Sequence, residues 1–319
     1  MHFCILKQDK KMNQVPNTWD ASSWSFRFAG AQKPYSHPVI KQLRQEVFFH
    51  THQIVKAGCY ETAEGRVVEL PLYDRIAEES CFYSKRLPVN EVEQRHETHL
   101  EVVARDCLAF ARTLVEDGYP EVCVLNMASA STPGGGVLNG SGAQEEYLFR
   151  CSDYYRSLYQ YVDYGNMFGV TRAADSYPMH RQHGGIFTPK VTVFRDTEAH
   201  GYALLDKPFH VNCIAVAGLN HPRTILQDGE ERIEASLVPT IYNKIRTIFR
   251  IALKHGQQTL VLGALGCGAF ANPPRHVAQL FKEIMASPEF AGVFPHIFFA
   301  IKGGPNGGNY APFKEVLQE

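Results

Sequence analysis

Asn126-Met-Ala-Ser-Ala-Ser-Thr-Pro-Gly-Gly-Gly-Val-Leu-Asn-Gly-Ser-Gly-Ala-Gln-Glu-Glu146 is the stretch from which the rest of the chain is best read. Before it, Val122-Cys-Val-Leu-Asn-Met127 reads as a short buried strand. Gly134, Gly135 and Gly136 carry no Cβ, so a bulky polar ligand can lie directly against the main chain. Ser141-Gly-Ala-Gln144 fits a capping box, which predicts that Ser141 starts a helix with Glu145 and Glu146 in its first turn. Strand, glycine loop and acid-bearing helix together describe a crevice at the carboxyl end of a sheet, where α/β proteins bind ligands. Taken alone, the two acids are also explained as partners of the helix dipole.

A second stretch repeats the pattern. Thr259-Leu-Val-Leu-Gly-Ala-Leu-Gly266-Cys-Gly268-Ala-Phe270-Ala-Asn-Pro-Pro reads as a strand, a glycine turn and a helix start. Main-chain N–H groups and a helix N-terminus favour phosphate oxygens, while Gly-x-Gly by itself is equally a plain turn. A Rossmann fingerprint would need a third glycine and a ribose-binding acid downstream, and neither is evident. Cys267 lies within the loop, as a nucleophile or, with fewer demands, as a small residue filling a tight turn.

Outward from these loops the pattern is α/β. A helix is expected from Pro38 to Gly58, and another on the helical spacing of Leu100, Val103, Ala104, Cys107, Leu108, Ala111, Leu114 and Val115. Further helices are expected near 232–255 and 274–286, and strands at 191–194, 210–216, 259–264 and 296–301. Val67 to Leu72 reads as a short strand that Pro71 confines to an edge. Residues 1–36 form an N-terminal extension, an arm across the domain or a lead-in, and residues 37–319 one catalytic domain. No role is assigned to residues 1–36 or to the glycine-rich 303–309.

Composition narrows the partners. The chain has 319 residues, 45% hydrophobic and 20% charged, which excludes a disordered or fibrous class. Its formal net charge is −1, so an anionic ligand must be gripped by local groups rather than steered by a broad basic field. Sequence-specific nucleic-acid binding is therefore not expected. No run of about 18 apolar residues occurs, and no signal peptide is read at the N-terminus. Eight cysteines without a Cys-x-x-Cys pair are expected to be reduced, mostly buried and in the cytoplasm. Of 14 histidines, only His180 and His183 suggest a metal; without an obvious third ligand they read as exposed loop residues. A monomer without metal or cofactor is expected.

Gly134-Gly-Gly136, the spacer from Val137 to Ala143 and Gln144-Glu-Glu146 resemble the signature of poly(ADP-ribose) glycohydrolases. Asn126-Met-Ala-Ser-Ala130 and Pro133 are similar to the shorter, microbial-type branch, which is built on a macrodomain. The resemblance extends over roughly residues 38 to 301. Macrodomains grip the diphosphate of ADP-ribose with Gly-x-Gly-x-Phe, which Gly266-Cys267-Gly268-Ala269-Phe270 matches position by position. The implied fold is a three-layer α/β/α macrodomain with a mixed central sheet and an N-terminal helical extension. Met127 and Val137 depart from the pattern, standing where an aromatic and a phenylalanine are common.

The resemblance implies hydrolysis of ribose–ribose bonds in ADP-ribose polymers, or of ADP-ribosylated proteins. It makes Glu146 the general acid, then the base that activates water. Glu145 would hold ribose hydroxyls with Asn126 assisting, and Phe270 would orient the distal ribose. Phe187 to Asp196 would supply the approach to the adenosine end, while Phe209 to Asn220 is core strand. Two neighbouring helix residues point about 100° apart and cannot flank one bond symmetrically, so only one of the acids transfers the proton. A macrodomain that binds ADP-ribose without cutting it, and a hydrolase of single ADP-ribose units on protein or nucleic acid, are the alternatives.

Overall fold

The computed structural model describes residues 17–89, 95–303 and 308–318. Two helices come first, α1 (Ala21–Gln32) and α2 (His37–Ala57), the second stopped by Gly58 in the left-handed conformation. Two small strands, β1 (Cys59–Glu61) and β2 (Val67–Glu69), pair antiparallel, with Pro71 beyond the pairing. The short β3 (Cys81–Tyr83) follows, then β4 (His99–Val103), α3 (Cys107–Glu116) and β5 (Val122–Ala128). After the glycine loop come α4 (Gln144–Cys151), α5 (Tyr155–Leu158) and the long strands β6 (Gly185–Arg195) and β7 (Leu204–Ala217). A hairpin of β8 (Thr224–Gln227) and β9 (Glu230–Ile233) precedes α6 (Val238–Lys254). The chain ends with β10 (Thr259–Leu262), α7 (Pro274–Met285), β11 (His296–Ala300) and α8 (Tyr310–Gln318).

Seven strands form one mixed sheet in the order β3-β6-β7-β5-β10-β11-β4. The five from β7 to β4 are parallel, while along one edge β6 pairs antiparallel with β7 and β3 antiparallel with β6. Strand side chains alternate between faces. Val124 and Ala128 of β5, Val261 of β10 and Phe298 of β11 face the layer that holds α2, α3 and α4. Cys123, Leu125, Leu260, Leu262, Ile297 and Phe299 face α6, α7 and α8. Both faces are covered, as parallel sheets require, and the result is the expected α/β/α architecture.

The extension contributes to the first layer. Trp24 of α1 is 1% exposed, and its Nε1–H donates to Leu43 O at 3.0 Å. Residues 17–36 thus lie packed across the domain, whereas residues 1–16 and 304–307 fall outside the described residues.

Three expectations need correction. The helix placed over 100–115 begins only at Cys107, where Asp106 caps it by accepting from the N–H groups of Leu108 and Ala109. His99–Val103 before it is the parallel edge strand β4: Leu100 and Val102 face one layer and Val103 the other, and apolar residues on both faces leave a spacing of three that a helix also gives. The helix placed over 232–255 begins at Val238; its first residues belong to a hairpin that turns at Asp228 and Gly229, both at positive φ. The capping box is not formed either. The acidic helix begins at Gln144, without a side-chain cap. The Gln144 amide is spent elsewhere, accepting from Met127 N–H at 3.0 Å and donating to Leu125 O at 2.8 Å. Among the described residues, no helix is long and apolar enough to cross a membrane.

Candidate active site

A cleft of about 730 Å³ opens at the carboxyl ends of the parallel strands. Asp106 and Cys107 follow β4, Ile301 and Lys302 follow β11, Gly263 to Phe270 follow β10, Ser129 to Glu146 follow β5, and Gly218 follows β7. This is where an α/β sheet places its ligand, because the loops there diverge over free strand ends. Its volume is that of a site for a cofactor-sized molecule.

The glycine triplet and the two acids are built against each other. Gly134 N–H donates to Glu145 Oε1 at 3.0 Å, and Gly136 N–H donates to Glu146 Oε1 at 2.8 Å. Gly134 and Gly135 have φ of 74° and 54°. A Cβ on Gly134 would press on the Phe149 ring at 2.6 Å, and one on Gly135 would strike Glu146 Oε1. The glycines are thus required by the protein's own close approach as well as by any ligand.

The two carboxylates differ in what surrounds them. Glu145 is held by three donors: Oε2 accepts from Ser129 N–H at 2.6 Å, and Oε1 from Gly134 and, at 3.4 Å, from Asn126 Nδ2. Burial pushes the Glu145 carboxyl up to about 8, with the neighbouring Glu146 charge adding to it and the N–H donors pulling the other way. Glu146 is 6% exposed, and its Oε2 is a buried oxygen without a partner among the described residues.

The second loop is organised by Asn272. Its Nδ2 donates to Leu219 O at 2.6 Å, Gly266 O at 2.9 Å and Phe270 O at 3.2 Å. Among the described residues, the N–H groups of Gly266, Gly268, Ala269 and Phe270 meet no acceptor. Gly266 has φ of 73° and a Cβ there would meet Asn272 at 2.6 Å, whereas at Gly268 a Cβ would meet nothing within 4 Å. Burial pushes the Cys267 thiol up, away from the thiolate a nucleophile needs.

Of the residues singled out in the sequence, Gly135, Gly136, Gln144, Glu145, Glu146, Gly266, Gly268, Ala269 and Phe270 line the cleft, as does Met127. Asn126, Gly134, Val137 and Cys267 lie behind it: Asn126 and Gly134 touch Glu145, and Val137 is 1% exposed. Phe187 to Asp196 is not on the cleft wall. Phe187 to Arg195 belongs to β6, where Phe187 stacks on His255 at 3.7 Å, and Asp196 lies just beyond the strand. His180 and His183 stack at 5.4 Å, with His180 Nδ1 accepting from two backbone N–H groups. Among the described residues there is no group of three or more potential metal ligands. All seven described cysteines are free; Cys123, Cys151 and Cys213 are buried and the others half-buried.

Several cleft residues escaped the sequence. Tyr147 donates to Asp106 Oδ1 at 2.7 Å, and Arg150, Glu198 and Tyr202 form a polar wall. Arg150 carried one signal, its position a helical turn beyond Glu146, and Asn272 another, its place just after Phe270. Glu198 and Tyr202 carried none.

This geometry agrees with what the chain is similar to. A family model described as microbial-type PARG, catalytic domain, matches residues 49–196. The poly(ADP-ribose) glycohydrolase structure from Thermomonospora curvata is 30% identical, with a TM-score of 0.69 over 86% of this chain and 98% of that one. The same enzyme bound to the inhibitor ADP-HPD gives 29% and 0.67 over 85% and 98%. The Deinococcus radiodurans glycohydrolase in complex with ADP-ribose gives 28% and 0.59 over 79% and 99%. No curated protein sequence matches the chain. Sheet order, paired glycine and acid loops and near-complete coverage of the bacterial enzymes lead to one assignment: the chain belongs to the microbial-type poly(ADP-ribose) glycohydrolase family.

Proposed function

We propose that the cleft hydrolyses the O-glycosidic bond between ribose units of poly(ADP-ribose), with Glu146 as the general acid and base. The observation that carries this reading is the unequal state of the two acids. Glu145 has its oxygens occupied by three donors. Glu146 is fixed through Oε1, and its buried Oε2 has no partner among the described residues. An orphaned buried carboxylate oxygen is costly unless a ligand or water completes it.

A proton on Glu146 Oε2 passes to the leaving ribose oxygen as the bond to the anomeric carbon breaks. Water then adds to that carbon and returns a proton to Glu146, so the acid is regenerated. Glu145, braced from behind by Asn126, holds the sugar. The four acceptor-free amides from Gly266 to Phe270 suit the diphosphate, whose own negative charge helps to stabilise the cationic transition state. The ADP-ribose held by the D. radiodurans enzyme supports the same ligand class here. The natural setting would be a reduced cytoplasm, with the chain acting as a monomer on polymers or on ADP-ribosylated proteins. Incubation with poly(ADP-ribose) and, separately, with mono-ADP-ribosylated protein, following free ADP-ribose, tests the reading; release from the polymer is expected.

A further inference from the structure

The Glu198–Tyr202 wall of the cleft is held by residues that no motif marks. Tyr202 is fully buried at φ 54°, an unfavourable conformation for a bulky side chain. Its hydroxyl accepts from Arg150 Nε at 2.8 Å and donates to Glu198 Oε2 at 2.9 Å. Glu198 in turn accepts from Arg44 Nε at 2.8 Å and Nη2 at 3.0 Å, a bidentate pair. Burial pushes the Glu198 carboxyl up, but Arg44 outweighs it and holds the group below its ordinary value.

The N-terminal helices stand behind this chain of contacts. Arg44 comes from α2 and lies so close beneath Gly142 that a Cβ there would strike its guanidinium. Its charge sits 5.5 Å from the Phe28 ring, Phe28 stacks on Trp24 at 4.7 Å, and Trp24 meets the Tyr202 ring edge-on at 5.1 Å. Trp19 Nε1–H donates to Gly201 O at 2.8 Å. On the other side, Arg150 Nη1 donates to Ser141 O at 2.7 Å, closing the loop onto the start of α4.

The helix that carries the acids has only eight residues and is tied at both ends. Gln144 stitches its start to the end of β5, and Arg150 ties its last turn to Tyr202. Glu146 lies between the two ties. We propose that Arg44 is a positioning residue for the reaction: through Glu198 and Tyr202 it fixes Arg150, and so sets where Glu146 Oε2 meets the glycosidic oxygen. This rests on the glycohydrolase reading above. Arg44, Glu198 and Tyr202 all fall outside the residues matched by the family model.

The test must separate positioning from plain support of the fold. Arg44→Met keeps the apolar stem against Phe28 and removes the charge. The expected result is a kcat on poly(ADP-ribose) lower by roughly 10–100-fold, the scale of an ångström's misplacement of a reacting group. ADP-ribose affinity, by calorimetry on the folded variant, should stay within about threefold. The double variant Arg44→Met/Glu198→Gln should lose little more than Arg44→Met alone, since both act through one chain. Tyr202→Phe keeps the ring, removes the bridging hydroxyl and carries the same kcat expectation should Arg44→Met not fold. A folded variant with kcat within about twofold of the parent protein, or fully additive losses in the double, would overturn the inference. The unmodified protein in the same assay distinguishes the failures: no product from it sinks the glycohydrolase reading, whereas equal product from both sinks only the role of Arg44.

Discussion

Gly136 donates its N–H to Glu146 Oε1 at 2.8 Å, and Oε2 of the same carboxylate is buried without a partner among the described residues. The relationship explains how one acid can be both fixed and reactive. One oxygen sets the orientation of the group, and the other keeps its lone pairs for the reacting proton. Glu145, a residue away on the same helix, has no such freedom, because donors already occupy both its oxygens.

Glu146→Gln preserves size and the hydrogen bond from Gly136 but removes the transferable proton. Turnover on poly(ADP-ribose) should fall by at least about 10²–10⁴, the usual loss on deleting a general acid. ADP-ribose affinity should change little. A steady-state rate near that of the parent protein would exclude Glu146 as the acid.

The two glycines of the second loop should respond differently. Gly268 faces open space, so Gly268→Val should leave thermal stability unchanged and weaken ADP-ribose binding by roughly tenfold or more, through a clash with the ligand. Gly266 has φ of 73° and lies against Asn272, so Gly266→Ala should lower the melting temperature. Calorimetry and thermal melts on both variants check the contrast. Unchanged affinity in Gly268→Val would make the loop an ordinary turn.

The parts of the site that demand a special backbone were legible, because glycine at positive φ or at a close approach leaves a mark in the sequence. The buried strands around them were legible too: β5, β10 and β11 are short apolar runs, bounded by breakers. The stretch from Leu100 to Val115 was misread because β4 is apolar on both faces, so Leu100 and Val103, on opposite sides of the strand, stand at the spacing of a helical turn just before a true helix. The wall of Arg150, Glu198 and Tyr202 was invisible for another reason. Its residue types are ordinary, Arg150 is marked only by its place a turn beyond Glu146, and Glu198 and Tyr202 are brought to it by long-range packing braced by α1 and α2, which no local pattern encodes.

The proposed reaction uses Glu146, water and the ligand's own diphosphate, and no step needs a cation held by the protein. Prolonged treatment with EDTA should leave the rate on poly(ADP-ribose) within about twofold of the untreated protein. His183→Ala serves as a control and should be nearly silent, since among the described residues its ring stacks on His180 without a side-chain hydrogen bond. Activity lost on chelation and restored by a divalent metal would withdraw the role given to Glu146.

Glu145 connects the site to stability through pH. Its folded value, pushed up to about 8 by burial, lies above the ordinary 4.5 that the unfolded chain should show. A group raised in this way contributes fully below the unfolded value, and the contribution is lost as pH rises through the folded one. The window therefore runs from about pH 4.5 to about pH 8, and the cost across it is on the order of a few kcal/mol. Glu145→Gln does not titrate there. It should begin less stable, because its amide –NH₂ must face either the Ser129 donor or the Gly134 and Asn126 donors, and this deficit is independent of pH. The gap between the parent protein and Glu145→Gln should then narrow steadily as pH rises from 4.5 to 8. Urea unfolding at half-unit intervals reads the gap directly. A gap that stays constant, or widens with pH, would show that Glu145 is an ordinary carboxylate and that its donors outweigh its burial.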